Sequence, residues 1–302
     1  GSGGGGGSLA LVMMSGVQYY TGQLFDIEAV TAAAHKHGVP IGWDLAHAVG
    51  NVPLSLHAHG PDFACWCTYK YLNSGPGNIA GCFVHERHAF DNCASTTTPP
   101  CESAEQEGVV GAVGNLSLPR FAGWWGHRAV DRFDMAHEFK PSPGAQGFML
   151  SNPPVLCCAA LRASLDCFDS CGGVVNLRNK SERLTGLLEA LLDAFDDDEA
   201  DPLLKGQVHI FTPRDPAARG CQLSLAFRCP GGVAPVFSAL MAKGVICDVR
   251  KPDVMRVAPA PLYNSFVDVF DFVALLRGVL LGTVKEAAPP PLPPPLPSPS
   301  KE

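Results

Sequence analysis

The sequence predicts an α/β protein with a mostly parallel sheet, flanking helices and a smaller α+β C-terminal domain. Three observations carry this. In the first third of the chain, short apolar runs alternate with a helical repeat, the order of a parallel βαβ unit. Two of these runs end in ionisable residues, Asp44 and Lys70. Past residue 200, four short apolar runs and two helical stripes alternate with turn residues.

Taken in order, Leu9 to Met14 reads as a buried strand leading into Ser15-Gly16. Asp26 then caps a helix of Ile27, Val30 and Ala34 periodicity, closed by His35-Lys36-His37 before Gly38. Val39 to Asp44 is the next strand, and Phe63 to Thr68 the one after it, ended by the turn Ser74-Gly75-Pro76-Gly77. Ile79 to His85 adds another. From about Phe90 to Leu118 the composition shifts to Ser, Thr, Pro, Gly and scattered acids, read as a loop or disordered insertion. Order returns at Phe121-Ala-Gly-Trp-Trp-Gly-His127, and a long apolar helix from about Val155 to Phe168 follows Ser151-Asn152-Pro153-Pro154.

Leu184, Leu187, Leu188, Leu191, Leu192 and Phe195 form a helical core stripe. The acidic run Asp196 to Glu199, with Asp201, reads as a solvated loop, because a helix C-terminus disfavours it. Strands are expected at Gln207 to Thr212, Gln222 to Arg228, Val245 to Val249 and Val254 to Ala258. Helices are expected near Val233 to Lys243 and Phe266 to Leu281. Gly1 to Ser8 and Pro289 to Pro299 are low-complexity ends, one flexible and one of polyproline type.

Composition narrows the function. A chain of 302 residues with 46% hydrophobic content buries a sizeable core. Its net charge of -7, without a basic cluster, argues against nucleic acid as a partner. No apolar run of membrane-spanning length occurs. The twelve cysteines lie largely in apolar runs (Cys65, Cys67, Cys157, Cys158) without a Cys-x-x-Cys pair, which reads as buried thiols in a reducing, cytoplasmic compartment. His85 and His88 lack a third ligand at metal-site spacing and read as surface histidines, so no metal is expected.

Lys70 sits where a buried strand gives way to a loop, and ligands of α/β sheets bind at the carboxyl ends of strands. Apolar surroundings there disfavour the ammonium form and favour a nucleophilic amine. The plain alternative is a strand-end lysine that snorkels to water. Asp44, at the end of the preceding strand with His47 three positions on, adds a carboxylate. A lysine and a carboxylate on successive strand ends match what pyridoxal phosphate requires, a carbonyl-binding amine and a partner for the pyridine nitrogen. A structural Asp-Lys pair would show the same spacing.

Four stretches together resemble the kynureninases. These are Ser15-Gly-Val-Gln-Tyr-Tyr-Thr-Gly-Gln, Asp44-Leu-Ala-His-Ala-Val-Gly-Asn, Asp62-Phe-Ala-Cys-Trp-Cys-Thr-Tyr-Lys-Tyr-Leu-Asn and Ser151-Asn-Pro-Pro. The resemblance runs from about Ser15 to about Leu280. It implies the fold type I architecture of pyridoxal phosphate enzymes, of the aminotransferase class V type, and hydrolysis of kynurenine or 3-hydroxykynurenine to an anthranilate and alanine by a homodimer. It also implies roles. Lys70 forms the Schiff base and later carries a proton, and Asp44 pairs with the pyridine nitrogen. Tyr69 reaches the phosphate and assists proton transfer. Ser15 and His47 line the pocket, His47 on the substrate side as well. Trp124 and Asn152 touch the phosphate across the dimer interface, and Arg256 in Met255-Arg-Val-Ala-Pro holds the substrate carboxylate, a bidentate task.

By the same resemblance, residues 9–150 are part of a large cofactor-binding domain with the insertion at about 91–118, and residues 151–285 are the small domain with its linking helix. Residues 1–8 and 286–302 are a flexible start and a proline-rich tail. The family's upstream phosphate cradle and ring-stacking aromatic have no counterpart here, so the chain reads as an N-terminally truncated fragment with weak cofactor binding and poor turnover. Two other readings are another class V-type lyase or desulfurase and a non-catalytic remnant.

Overall fold

The computed structural model describes residues 9–88, 121, 123–134 and 137–284. The glycine-rich start, the insertion and the proline-rich tail expected from sequence lie outside the described residues. The chain folds as two compact units. Of the described residues, the first holds those up to Arg183 with Pro213–Cys221 and Ala260–Tyr263, and the second holds Leu184–Thr212, Gln222–Pro259 and those from Asn264 on. The boundary read from sequence at residue 151 falls before a helix that clusters with the first unit.

In the first unit, β1 (Val12–Ser15) leads to α1 (Ile27–Lys36), whose N-cap Asp26 accepts a bond from the Ala29 N–H. β2 (Ile41–Asp44), the one-turn α2 (Leu56–His59), β3 (Phe63–Cys67) and β4 (Ala80–Val84) follow. The strands pair in the order β1-β2-β3-β4, parallel among the first three. β4 runs antiparallel to β3, so the mostly parallel sheet ends in one antiparallel strand. No described helix separates the two, and a parallel return needs a crossover. α1 covers one face of this sheet. Ile41, Trp43, Leu45 and Ala48 are fully buried, and the Trp43 indole N–H donates to Thr31 Oγ1 at 3.1 Å. Each large apolar side chain so buried contributes roughly 1.5–3 kcal/mol. α3 (Val155–Ser170) is joined to the sheet unit through the Leu72, Phe168 and Leu177 cluster.

α4 (Gly173–Asp193) carries Leu184, Leu188 and Leu192 into the second unit's core. There β5 (Val208–Ile210), β6 (Leu223–Phe227), α5 (Val233–Met241), β7 (Asp248–Arg250), β8 (Val254–Val257) and α6 (Phe266–Leu280) follow. The strands form an antiparallel sheet of order β5-β6-β8-β7. The acidic loop is not simply solvated, since Asp198 and Asp201 both bind the Arg277 guanidinium of α6. A cation 79 and 76 positions further on compensates these two carboxylates, which the helix end alone disfavours.

The histidine reading also changes. His88 Nε2 lies 2.7 Å from Asp62 Oδ1, His35 Nε2 lies 2.8 Å from Oδ2, and the Ile41 N–H donates to Oδ2 at 2.7 Å. His85 is buried as well, and its ring stacks on His57 at 5.0 Å. These residues form a polar clamp between α1, β2 and the end of β4, around a carboxylate only 5% exposed. Burial pushes the Asp62 carboxyl up, but His35, the Ile41 N–H and His88 outweigh it and hold it below the usual carboxylate value.

A carboxyl lowered by folding stabilises the fold above its unfolded value, and that contribution is lost as pH falls through the folded value. Asp62→Asn is therefore expected to lower the unfolding free energy by about 3 kcal/mol at neutral pH, the cost of removing one member of a buried charged cluster. Chemical denaturation of both proteins at neutral and acid pH checks this, and the difference should shrink in acid.

Candidate active site

Parallel register fixes the site. Ser15 stands opposite Asp44, and Asp44 opposite Cys65, so the carboxyl ends of β1, β2 and β3 lie side by side. The Gly16 N–H donates to the Asp44 carbonyl at 2.9 Å and the Leu45 N–H to the Cys65 carbonyl at 2.8 Å, which extends this alignment into the loops. Gly16 leaves the space that Leu45 fills, as a Cβ there would lie 2.6 Å from the leucine side chain.

Beyond Asp44 the chain enters a helical turn. Asp44 Oδ1 accepts the Ala46 N–H at 2.9 Å, an Asx-type closure. Asp44 is exposed, and its second oxygen takes no hydrogen bond among the described residues. Asn51 locks the turn, donating to the His47 carbonyl and accepting the Cys221 N–H, both at 2.9 Å. The His47 imidazole meets the Tyr71 ring edge-on at 5.8 Å. Gly50, at φ +80°, lets the two loops touch, since a Cβ would lie 2.9 Å from the Tyr71 carbonyl.

The loop after β3 carries Tyr69 and Lys70 and is closed by buried hydroxyls. Ser74 Oγ donates to Thr68 Oγ1 at 2.7 Å, Thr68 Oγ1 donates to the Ile79 carbonyl, and the Ser74 N–H donates to the Thr68 carbonyl at 3.1 Å. The Asn73 N–H caps the Lys70 carbonyl at 3.0 Å, with Asn73 itself at φ +53°. Lys70 is half-buried, and its amine makes no bond or ion pair among the described residues. Tyr69 is 48% exposed. The Cys67 thiol foremost, by charge and hydrogen bond, then desolvation and the Asp44 charge, hold the Tyr69 phenol above its usual value.

Ser15, Asp44, His47, Tyr69 and Lys70 are thus gathered on successive strand ends of the first unit. Trp124 lies in a 3-10 turn (Trp124–Gly126), its ring 5.0 Å from Trp125 and 6.3 Å from Phe133. Asn152, just before α3, is exposed and accepts a bond from Ser151 Oγ at 3.2 Å. Arg256 lies in β8 of the second unit, its side chain 11% exposed and paired with Asp248. The sequence reading passed over Asn51, Thr68, Tyr71 and Ser74. A hydroxyl on each side of Tyr69-Lys70, six residues apart, was the available signal for the loop lock.

Residues 177–276 match the family described as kynureninase C-terminal domain. The chain is 52% identical over 275 residues to the kynureninase of Nematostella vectensis, covering 90% of this chain and 53% of that protein. It is 51% identical over 273 residues to that of Myxococcus xanthus, covering 90% and 56%. The chain therefore spans about half the length of the curated relatives it matches. Among solved structures, a cysteine desulfurase from Thermococcus onnurineus NA1 superposes with a TM-score of 0.65 at 15% identity, covering 90% of this chain and 60% of that one. A C-DES mutant with glycine covalently linked to its PLP cofactor gives a TM-score of 0.65 at 17% identity, covering 88% and 60%. These likenesses establish the α/β fold of the type I architecture. The sequence identities go further: over the part of its relatives that it spans, the chain belongs to the kynureninase family.

Proposed function

We propose that the chain carries the lysine and carboxylate of a pyridoxal phosphate-dependent kynureninase, which hydrolyses L-kynurenine or 3-hydroxy-L-kynurenine to anthranilate or 3-hydroxyanthranilate and L-alanine. One observation carries the reading: an amine and a carboxylate oxygen, both without a partner among the described residues, stand in the loop just past β3 and at the end of the adjacent parallel β2. The donor set fits the cofactor, since Lys70 offers an amine for its carbonyl and Asp44 an acceptor for a ring N–H. When bound, pyridoxal phosphate supplies an electron sink for charge developed at the substrate α-carbon. Asp44 keeps the pyridine nitrogen protonated. Lys70 Nζ would hold the cofactor and then move the α-proton, and the Tyr69 phenol, on the same loop, would assist that transfer. Ser15 and His47 line the pocket.

Arg256 is assigned to the substrate carboxylate. Its guanidinium already carries a carboxylate, that of Asp248, so the side chain is set for this class of group. Trp124 and Asn152 are assigned to the phosphate of a second copy in a homodimer. Supporting this, Trp124, Phe133, Leu150, Val155 and Leu156 leave large apolar surface exposed in the first unit. Residues 9–150 are assigned to the cofactor-binding part and 151–285 to the smaller domain with its linking helix, of which the stretch up to Arg183 clusters with the first unit. Among the described residues no helix is long and apolar enough to cross a membrane, and a cytoplasmic location is proposed. The relatives at about 50% identity favour this activity over that of a desulfurase, whose likeness extends to the fold alone.

Borohydride reduction of the chain with saturating pyridoxal phosphate, followed by peptide mapping, is expected to place the pyridoxyl group on Lys70. Label on another lysine, undiminished in Lys70→Ala, refutes the assignment. In a protein of its relatives' full length, incubation with kynurenine is expected to release anthranilate, and Arg256→Lys to lower kcat/KM mainly through KM. The expected loss is about 1.5–3 kcal/mol, the worth of a charge-assisted hydrogen bond. An unchanged KM removes Arg256 from the carboxylate site.

A further inference from the structure

The open face of the first sheet carries two cysteines that the proposed reaction does not use. Cys65 of β3 and Cys82 of β4 are direct cross-strand partners, and both are exposed free thiols. In-register partners project from the same face of a sheet. They line the same apolar cavity of about 460 Å³ with Phe63, Val84 and Phe148.

The hydrogen-bond phase decides whether such a pair can be bridged. The Cys65 carbonyl accepts the Leu45 N–H at 2.8 Å and so turns toward β2 and away from β4, while at the start of the strand the Asp62 carbonyl accepts the His85 N–H at 2.9 Å. Alternation along β3 then makes Cys65 and Cys82 a non-hydrogen-bonded pair, the closer of the two antiparallel kinds, with Cα atoms about 4.5 Å apart. Disulfides span Cα separations of about 4.4–6.8 Å. We propose that Cys65 and Cys82 form a reversible cross-strand disulfide, a modification site that ties β4 to the strand leading into Lys70. The other exposed thiols of the described residues, Cys167 and Cys171, lie together near the end of α3.

The chemistry is thiol–disulfide exchange with a small disulfide such as oxidised glutathione. One cysteine thiolate attacks a glutathione sulfur and expels a glutathione thiolate, which takes up a proton. The second cysteine thiolate then attacks the mixed disulfide and expels the other glutathione. Two protein thiols are oxidised, and one glutathione disulfide is reduced to two thiols. Burial first, then Asp44 and Cys82, pushes the Cys65 thiol up, and burial pushes Cys82 up. Exchange is therefore run above the ordinary cysteine value of about 8.5.

The test treats the folded chain with oxidised glutathione, blocks remaining thiols, digests with trypsin and maps peptides. Cleavage after Lys36, Lys70 and Arg87 puts Cys65 and Cys67 in residues 37–70 and Cys82 in residues 71–87. The expected result is these two peptides joined, two hydrogen masses below their sum and separated by reductant, with two reactive thiols lost per chain. The link should persist in Cys67→Ser and vanish in Cys65→Ser. Separate glutathione adducts on both peptides of the wild-type chain, without the joined species, overturn the proposal, as does a link that survives Cys65→Ser.

Discussion

The parallel register of three short strands is the constraint on which the site depends. β1, β2 and β3 contribute only four or five residues each, yet their alignment brings Ser15, Asp44 and the start of the Tyr69-Lys70 loop to one edge. A slip of one residue in β2 would turn Asp44 to the face packed under α1 and bring Trp43 out of the core, where it is fully buried. Core packing and site placement are thereby the same constraint. The hydrophobic effect that seats Trp43 also aims Asp44.

Polar groups then convert aligned strand ends into defined loops. Thr68 and Ser74 close the lysine loop from beneath, Asn51 locks the turn of His47, and Gly50 lets the two touch. At the opposite end of the strands, Asp62 gathers His35, His88 and the Ile41 N–H. Each is a buried polar group whose desolvation is offset by a short bond, so that loss of one partner leaves the other exposed to the full penalty. Rigidity around Lys70 follows from bonds that never touch the amine.

The second unit follows a different rule. Its antiparallel sheet packs one face into a cluster that includes Leu184, Leu188, Leu223, Leu225 and Leu240, and places Arg256 between Ser224 and Asp248. Arg256 is largely buried, so its charge needs a carboxylate, and Asp248 provides one.

How much of this was legible in the sequence depended on range. Asp44, Lys70, the Asp26 cap and the α4 stripe are local signals, read from neighbours within one or two turns, and the fold class followed from them, while the roles of Ser15, Tyr69 and Arg256 came from the family resemblance. Partners distant in sequence were not legible. Arg277 binding the acidic loop, His88 reaching back to Asp62, and the antiparallel return of β4 each depend on groups brought together only by folding. The cysteines make the same point. An apolar run suggested buried thiols, and Cys221 is buried, but Cys65 and Cys82 point to the sheet face that α1 does not cover. The sequence by itself determined which residues can do chemistry and on which strand ends they stand. Tertiary structure alone decided which face each strand shows and which charge each buried ion meets, because burial and pairing energies belong to neighbours in space and are not encoded in local spacing.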